Sequence, residues 1–168
     1  MMNRYVAALL LATLLLPALS AAQPQKKKDA DTTANFNVTT DAALAAMRTK
    51  AQAMGISGVA LVAYFEGETI QAWSSRMIVV GNYKVDPTGG DKGSNLLGIA
   101  YAKAAEMADT HKDSGSGIRP PMTGEFGWSG GVIAQTKGGY VIAAFSGGKS
   151  EDDVAISREG LAKLKSGL

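Results

Sequence analysis

The chain has 168 residues and no cysteine, which excludes disulfide bonds, thiolate metal ligands and a cysteine nucleophile. Its 17 lysines and arginines against 15 aspartates and glutamates leave a formal net charge of +2, without the basic excess typical of nucleic-acid-binding proteins. The length suffices for one domain whose core can hold the fold by packing alone.

Residues 1–22 have the organisation of a cleavable secretion signal. Arg4 supplies a positive charge, and residues 5–16 are apolar with one exception. Ser20 and Ala22 are small residues at the two positions that cleavage requires. The apolar run is too short for a membrane-spanning helix, which needs about 20 residues. We therefore expect cleavage after Ala22, a periplasmic or secreted protein, and no stable membrane insertion.

Residues 23–38 are polar and lack apolar periodicity, which predicts a flexible leader before a domain at 39–168. Thr40 or Asp41 can cap a first helix. Apolar residues at spacings of three and four indicate this helix, and Gly55 is placed to end it. The apolar residues are Leu44, Met47, Ala51 and Met54.

The next segment predicts an antiparallel hairpin. Residues 59–65 are a continuous apolar run rich in β-forming residues, which is typical of a central strand. Glu66 and Gly67 are interpreted as a two-residue turn, and residues 68–77 as the partner strand. Residues 80–93 contain an Asp-Pro-Thr-Gly-Gly turn and are predicted to form a loop.

A second helix is predicted from Ser94, as the N-cap, to about Thr110. Its small residues would let it pack closely against a sheet. Residues 112–130 follow and are rich in glycine, with adjacent prolines at Pro120 and Pro121. An irregular segment of this length in a compact domain is often a binding or lid segment.

A second hairpin is predicted from strands at 131–135 and 140–145, joined through a Lys-Gly-Gly turn. A last helix runs from Ser150 to about Lys165, and Ser150 and Asp153 have the spacing of a capping box. The order helix, hairpin, helix, hairpin, helix predicts a single α+β domain. Its antiparallel sheet would be built from two hairpins and packed by about three helices.

The turn at 146–150 could hold an anion, because the first N–H groups of a helix are free to donate. Its Gly-Gly-Lys-Ser sequence imitates the end of a phosphate-binding P-loop, but Ala143 stands where the full motif requires a glycine. Residues 151–153 are acidic and would repel phosphate. A tight turn with acidic residues at a helix start is the simpler interpretation.

His111 is the only histidine, and no nucleophile-elbow sequence accompanies it. Its position just after a helix favours interaction with the helix C-terminus or with solvent, and coordination of haem iron is the functional alternative. A zinc site cannot be built from three histidines or from cysteines here, so no metal site is expected. Five aromatic residues could line a flat pocket, although core or interface positions are the simpler interpretation: Trp73, Tyr83, Tyr101, Trp128 and Tyr140.

Several motifs occur together between about residues 40 and 166. Two lie upstream: Arg76-Met77 and Ile99-Ala100-Tyr101-Ala102-Lys103-Ala104. The others are Gly130-Gly131-Val132-Ile133, Lys137-Gly138-Gly139-Tyr140-Val141-Ile142, Ser146-Gly147-Gly148, Glu151, Asp153 and Gly160-Leu161. In this order they resemble the signature of the GlcG/HbpS-like haem-binding (haem-degrading) family. The chain departs from that signature at Ile133, where the family has proline, and after Met77, where the family continues Asp-Gly-Ala.

The resemblance implies an α+β domain that forms homo-oligomers. For an exported member it implies binding of haem or a related tetrapyrrole, as a carrier, scavenger or extracytoplasmic sensor. Candidate ligand-binding residues follow from the matched positions and from the predicted anion cradle: Arg76, Lys103, Ser146, Gly147, Gly148, Glu151 and Asp153.

Two alternatives remain open. The first is an enzyme acting on a small anion, with the turn at 146–150 as the cradle and Arg76 or Lys103 supplying charge. The second is an oligomerising structural protein without a ligand. The two basic residues also have simpler interpretations, because Lys103 could extend over a helix face to water and Arg76 could be a solvent-facing strand residue.

Overall fold

The computed structural model describes residues 23–167 and the side chains of residues 36–167, so the predicted signal at 1–22 lies outside the described residues. The described residues form three helices: α1 (Gln23–Ala53), α2 (Leu96–Thr110) and α3 (Ser150–Gly167). They form six strands: β1 (Gly58–Glu66), β2 (Trp73–Val80), β3 (Lys84–Val85), β4 (Ser94–Asn95), β5 (Gly131–Gln135) and β6 (Gly139–Ser146).

Four of these strands form one antiparallel sheet in the order β2-β1-β6-β5. The central strands β1 and β6 are buried along almost their whole length. Strands covered on both faces have continuous apolar sequences, which is why the run in β1 predicts a central strand. The short strands β3 and β4 pair separately before α2. The predicted α+β domain, with two hairpins in one sheet, is confirmed.

The sheet separates two hydrophobic cores. On one face, Val62 and Tyr64 of β1 lie in a core with residues of α1 and α3. On the other face, Leu61 and Phe65 lie in a core with residues of α2. Successive strand residues point to opposite faces, so a single apolar run supplies both cores. Burying one such side chain fully contributes about 1.5–3 kcal/mol.

Helix α1 begins earlier than predicted. Residues 23–38, expected to be a flexible leader, belong to this helix, and Phe36 is completely buried against Tyr64 with ring centroids 5.8 Å apart. The Thr40 hydroxyl donates to the Phe36 carbonyl at 2.7 Å within the helix, so Thr40 is not an N-cap. The sequence did not predict this part of the helix because residues 23–38 are mostly polar. Phe36 is the aromatic residue that packs this segment against the sheet. None of the described helices has the length and apolar character needed to cross a membrane.

The first hairpin is confirmed, but its predicted two-residue turn is wrong. Phe65 pairs with Trp73, and residues 67–72 form a longer connection. Gly67 has φ +72°, and its N–H donates to the carbonyl of Gly138 at 3.0 Å. Gly67 therefore binds the neighbouring β5–β6 turn instead of closing its own hairpin. Residues 68–72, predicted as strand, consequently leave the sheet.

The later boundaries lie close to the prediction. Asn95, not Ser94, caps α2, because its side-chain oxygen accepts from the N–H of Gly98 at 3.0 Å. Strands β5 and β6 form the predicted second hairpin, and α3 begins at Ser150 as predicted. Residues 112–130 contain neither helix nor strand.

Candidate functional site

Lys103 and Asp153 form a buried ion pair where α2, β6 and α3 meet. Nζ of Lys103 lies 2.8 Å from Oδ2 of Asp153, and the two side chains are only 3% and 4% exposed. The same Nζ donates to the carbonyl of Phe145 at 2.8 Å. Lys103 therefore does not reach water, and its charge is engaged by groups of the chain itself.

The turn expected to hold an anion is filled by Asp153. Oδ1 of Asp153 accepts from the N–H of Gly148 at 2.8 Å, and the backbone of Gly147 helps to favour the ionised carboxylate. Burial raises the pKa of Asp153, although Lys103 and these backbone groups favour the ionised form. In the predicted capping box, the Asp153 side chain would accept from the N–H of Ser150. It accepts instead from Gly148, which precedes the helix. Asp153 thus occupies the position that an external anion would take.

The other candidate residues do not gather around the Lys103–Asp153 pair. Arg76 lies on the edge strand β2, half-exposed, with Nη1 2.9 Å from Oδ1 of Asp41 in α1. Ser146 is buried at the end of β6, and Glu151 is exposed on the first turn of α3. The structure therefore brings Lys103, Gly147, Gly148 and Asp153 together and leaves Arg76 on another strand.

An open pocket of about 630 Å³ lies between the β1–β2 connection and the C-terminal half of α2. It is mainly apolar, with polar groups at Glu68, Thr69 and Asp109. The apolar lining consists of Ile70, Trp73, Ala105 and Ala108. Pockets for small molecules typically measure about 300–1,000 Å³ and combine apolar walls with a few polar groups. This is therefore a candidate ligand site.

His111 caps the C-terminus of α2, two residues after Asp109 of the pocket lining. It follows the last residue of the helix with a left-handed backbone at φ +53°, the only non-glycine residue with positive φ among those described. Its N–H donates to the carbonyl of Met107 at 2.8 Å, so the predicted interaction with the helix C-terminus is confirmed for the backbone. The imidazole stacks on Tyr140 with centroids 4.2 Å apart. Within the described part of the chain, no hydrogen bond involves its ring nitrogens.

Tyr140 connects His111 to the pocket. Its hydroxyl donates to Oε2 of Glu68 at 2.7 Å, and this hydrogen bond is the main reason why the pKa of Tyr140 is raised. Gln135 donates to the other oxygen of Glu68 at 3.1 Å. Glu68, Tyr140 and His111 therefore form a contiguous group beside the pocket.

Arg119 bonds to Asp109, the lining residue at the C-terminal end of α2. Its guanidinium donates to Asp109 and to Glu125, with shortest distances of 2.7 Å to each carboxylate. The hydrogen bond from Arg119 lowers the pKa of Glu125 to about 2, and those to Glu125 and Asp109 raise the pKa of Arg119. Glu125 also accepts from the N–H of Met122 at 2.9 Å. These contacts attach the loop at 112–130 to α2.

Sequence reasoning missed most of this pocket. It placed Glu68 and Ile70 in a strand and gave Asp109 no role. Of its aromatic candidates, Trp73 lines the pocket and Tyr140 lies beside it. The signal that could have found the rest is the polar run Glu66-Gly67-Glu68-Thr69, which follows the apolar residues of β1.

The described residues contain no group of three or more histidine, cysteine or acidic side chains arranged to hold a metal ion. No protein-family model matches the chain. No curated protein matches it significantly. The fold and site define a single α+β domain with an open, mainly apolar pocket whose lining includes the carboxylates of Glu68 and Asp109.

Proposed function

We propose that this protein is an exported binding protein for haem or a related tetrapyrrole, acting as a carrier, scavenger or extracytoplasmic sensor. The observation that carries the proposal is the pocket between the β1–β2 connection and α2, which has Trp73 in its lining. His111 is linked to this lining because it stacks on Tyr140, whose hydroxyl bonds to Glu68. The proposal is also supported by the secretion-signal pattern at 1–22 and by the motif resemblance.

The residues present fit such a ligand. The indole of Trp73 and the side chain of Ile70 offer apolar surface for a flat ring. The imidazole of His111 has nitrogens without hydrogen-bond partners in the described chain, and histidine is a common axial ligand of haem iron. When bound, haem would supply an iron centre that an imidazole can coordinate. The left-handed backbone of His111 adds weight, because strained non-glycine residues concentrate at functional sites.

The decisive test is a hemin titration of protein beginning at Gln23. We expect a saturable Soret shift at micromolar protein, and the absence of this shift would refute the proposal. His111→Asn removes the imidazole while keeping a residue that tolerates the left-handed backbone. We expect this variant to change the Soret position and to weaken binding roughly tenfold, because the imidazole that would hold the iron is absent. Lys112→Ala, at the exposed neighbouring position, is the matched control and should bind as the wild type does.

The alternative of a small-anion enzyme receives less support from the geometry. Its cradle at 146–150 already binds the carboxylate of Asp153, and Lys103 is paired with the same carboxylate. An added phosphate would have to displace a buried side chain. Thermal stabilisation of the protein by phosphate or glycolate would revive this alternative.

Self-association is a second proposed property, favoured by one specific observation. Phe126 and Trp128 stack with centroids 4.8 Å apart and are each about half exposed. Ile118 and Met122 of the same loop are also exposed. We infer that this aromatic loop surface contacts a second copy of the chain. Sedimentation should show a wild-type oligomer that the double variant Phe126→Ser, Trp128→Ser dissociates; a wild-type monomer would overturn the inference.

A further inference from the structure

The carboxylates at the pocket give it a net negative charge. Its described lining contains Glu68 and Asp109 and no lysine or arginine. Apolar surface beside these groups strengthens their electrostatic effect, since charges near low-dielectric walls are screened less than charges in bulk water.

The charge of Glu68 has no cationic partner among the contacts that the structure describes. One oxygen accepts from the hydroxyl of Tyr140 and the other from the amide of Gln135. Both donors are neutral, so they orient the carboxylate and leave its negative charge in place. Glu68 therefore contributes a full negative charge to one side of the pocket.

The end of α2 also carries a net negative charge. Asp109 bonds to Arg119, but Arg119 simultaneously bonds to Glu125. One guanidinium shared by two carboxylates leaves this cluster with a charge of −1. The pocket therefore carries net negative charge both at the β1–β2 connection and at the end of α2, and Trp73 and Ile70 supply apolar surface in the same lining.

We propose that this pocket selects flat ring ligands whose inserted edge is uncharged or positively charged, and that any carboxylate-bearing edge points outward to solvent. This inference rests on the proposed function and specifies which members of the ligand class the site accepts. A tetrapyrrole with esterified or cationic substituents is accepted better than one with free propionates. Glu68 acts as a specificity-determining residue because its carboxylate repels anionic substituents.

The test compares hemin with its dimethyl ester, which has the same ring and iron but lacks both propionate charges. At low salt we expect the ester to bind the wild type about threefold to tenfold more tightly. Glu68→Gln keeps an oxygen that can accept from Tyr140 and removes the charge. In this variant the preference should fall by about threefold, as expected for a single partly exposed charge interaction. Glu159→Gln, at an exposed position on α3, is the matched control and should retain the wild-type preference.

The salt dependence separates charge from other effects. Esterification also makes hemin more apolar, so only the part of the preference that Glu68→Gln removes is assigned to repulsion. That part should shrink as salt is raised toward 1 M, where the screening length is about 3 Å. An equal preference in wild type and Glu68→Gln, with both ligands bound, overturns the inference and leaves the proposed function standing.

A probe that is not a tetrapyrrole tests the charge selection independently of haem binding. Acridine orange is a flat aromatic cation, and we expect it to bind the wild type more tightly than Glu68→Gln. Binding of this dye without any binding of hemin or its ester would overturn the proposed function and support the charge selection. If neither the dye nor the tetrapyrroles bind, both proposals fail.

Discussion

Nζ of Lys103 lies 2.8 Å from Oδ2 of Asp153 in an ion pair from which solvent is almost excluded. The pair joins α2 to α3, and the additional bond to the carbonyl of Phe145 joins both helices to β6. Lys103 and Asp153, which the motif resemblance had suggested as ligand-binding residues, thus bind each other. Their geometry indicates a structural contact that orients the two helices on opposite faces of the sheet.

Removing one partner of this pair should destabilise the fold strongly. Lys103→Met leaves Asp153 buried without its cation, and such losses typically cost about 3–5 kcal/mol. Urea denaturation followed by circular dichroism would measure the change. Arg76→Met breaks an exposed ion pair with Asp41 and is the matched control, with an expected loss of about 0–1 kcal/mol. Equal losses in the two variants would contradict the structural role.

A side chain at residue 130 should also disrupt the pair. Gly130 has φ +138°, and a Cβ at this position would overlap Nζ of Lys103 and lie 2.9 Å from Cβ of Asp153. We expect Gly130→Ala to cost about 3 kcal/mol or more, because backbone strain adds to the displaced charge. Gly117→Ala, at φ +70° with open space around the added atom, should cost only about 1–2 kcal/mol. Thermal unfolding of both variants measures these losses. Equal losses would show that the overlap with Lys103 does not affect stability.

The backbone at His111 predicts an unusual order of stability. A left-handed conformation costs a non-glycine residue about 1–2 kcal/mol, and glycine avoids this cost. His111→Gly should therefore be about 1 kcal/mol more stable than His111→Ala, although glycine is normally the more destabilising choice near a helix. Chemical denaturation of the two variants measures the difference. If alanine were the more stable, the left-handed backbone at this position would be refuted.

Acid should loosen the loop at 112–130 through Glu125. Its pKa is about 2 in the folded protein, against an ordinary value of 4.5, because Arg119 bonds to the carboxylate. The folded state thus binds fewer protons, so the contribution of this contact is complete above pH 4.5 and is lost as the pH falls through about 2. We expect the thermal unfolding midpoint of the wild type to decrease as the pH is lowered from 4.5 to about 2. The Glu125→Gln variant should lack this pH-dependent loss of stability. Identical pH profiles of the two proteins would exclude a contribution from the Glu125–Arg119 contact.

The sequence predicted the architecture well because its strongest patterns are local. The continuous apolar runs of β1 and β6 match strands buried on both faces. Glycines and prolines correctly indicated the irregular segment at 112–130. The start of α1 was misplaced because the burial of Phe36 depends on Tyr64, which lies far along the chain and gives no local signal.

The candidate site was predicted only in part. Trp73 and His111 were singled out from residue type alone, and both lie at or beside the pocket. Glu68 was missed because its position outside the sheet results from the contact between Gly67 and Gly138. Asp109 gave no signal either, since its pairing with Arg119 crosses an irregular loop.

Composition and periodicity by themselves determined the order of the three helices and of the four strands of the main sheet, the α+β class and the absence of thiol chemistry, because these depend on neighbouring residues. The tertiary structure alone decided which charges remain available. It buried Lys103 and Asp153 against each other, where desolvation requires each charge to have a partner. It left Glu68 with neutral donors at the edge of an apolar pocket. The availability of a charge depends on its surroundings in three dimensions, which sequence spacing does not specify.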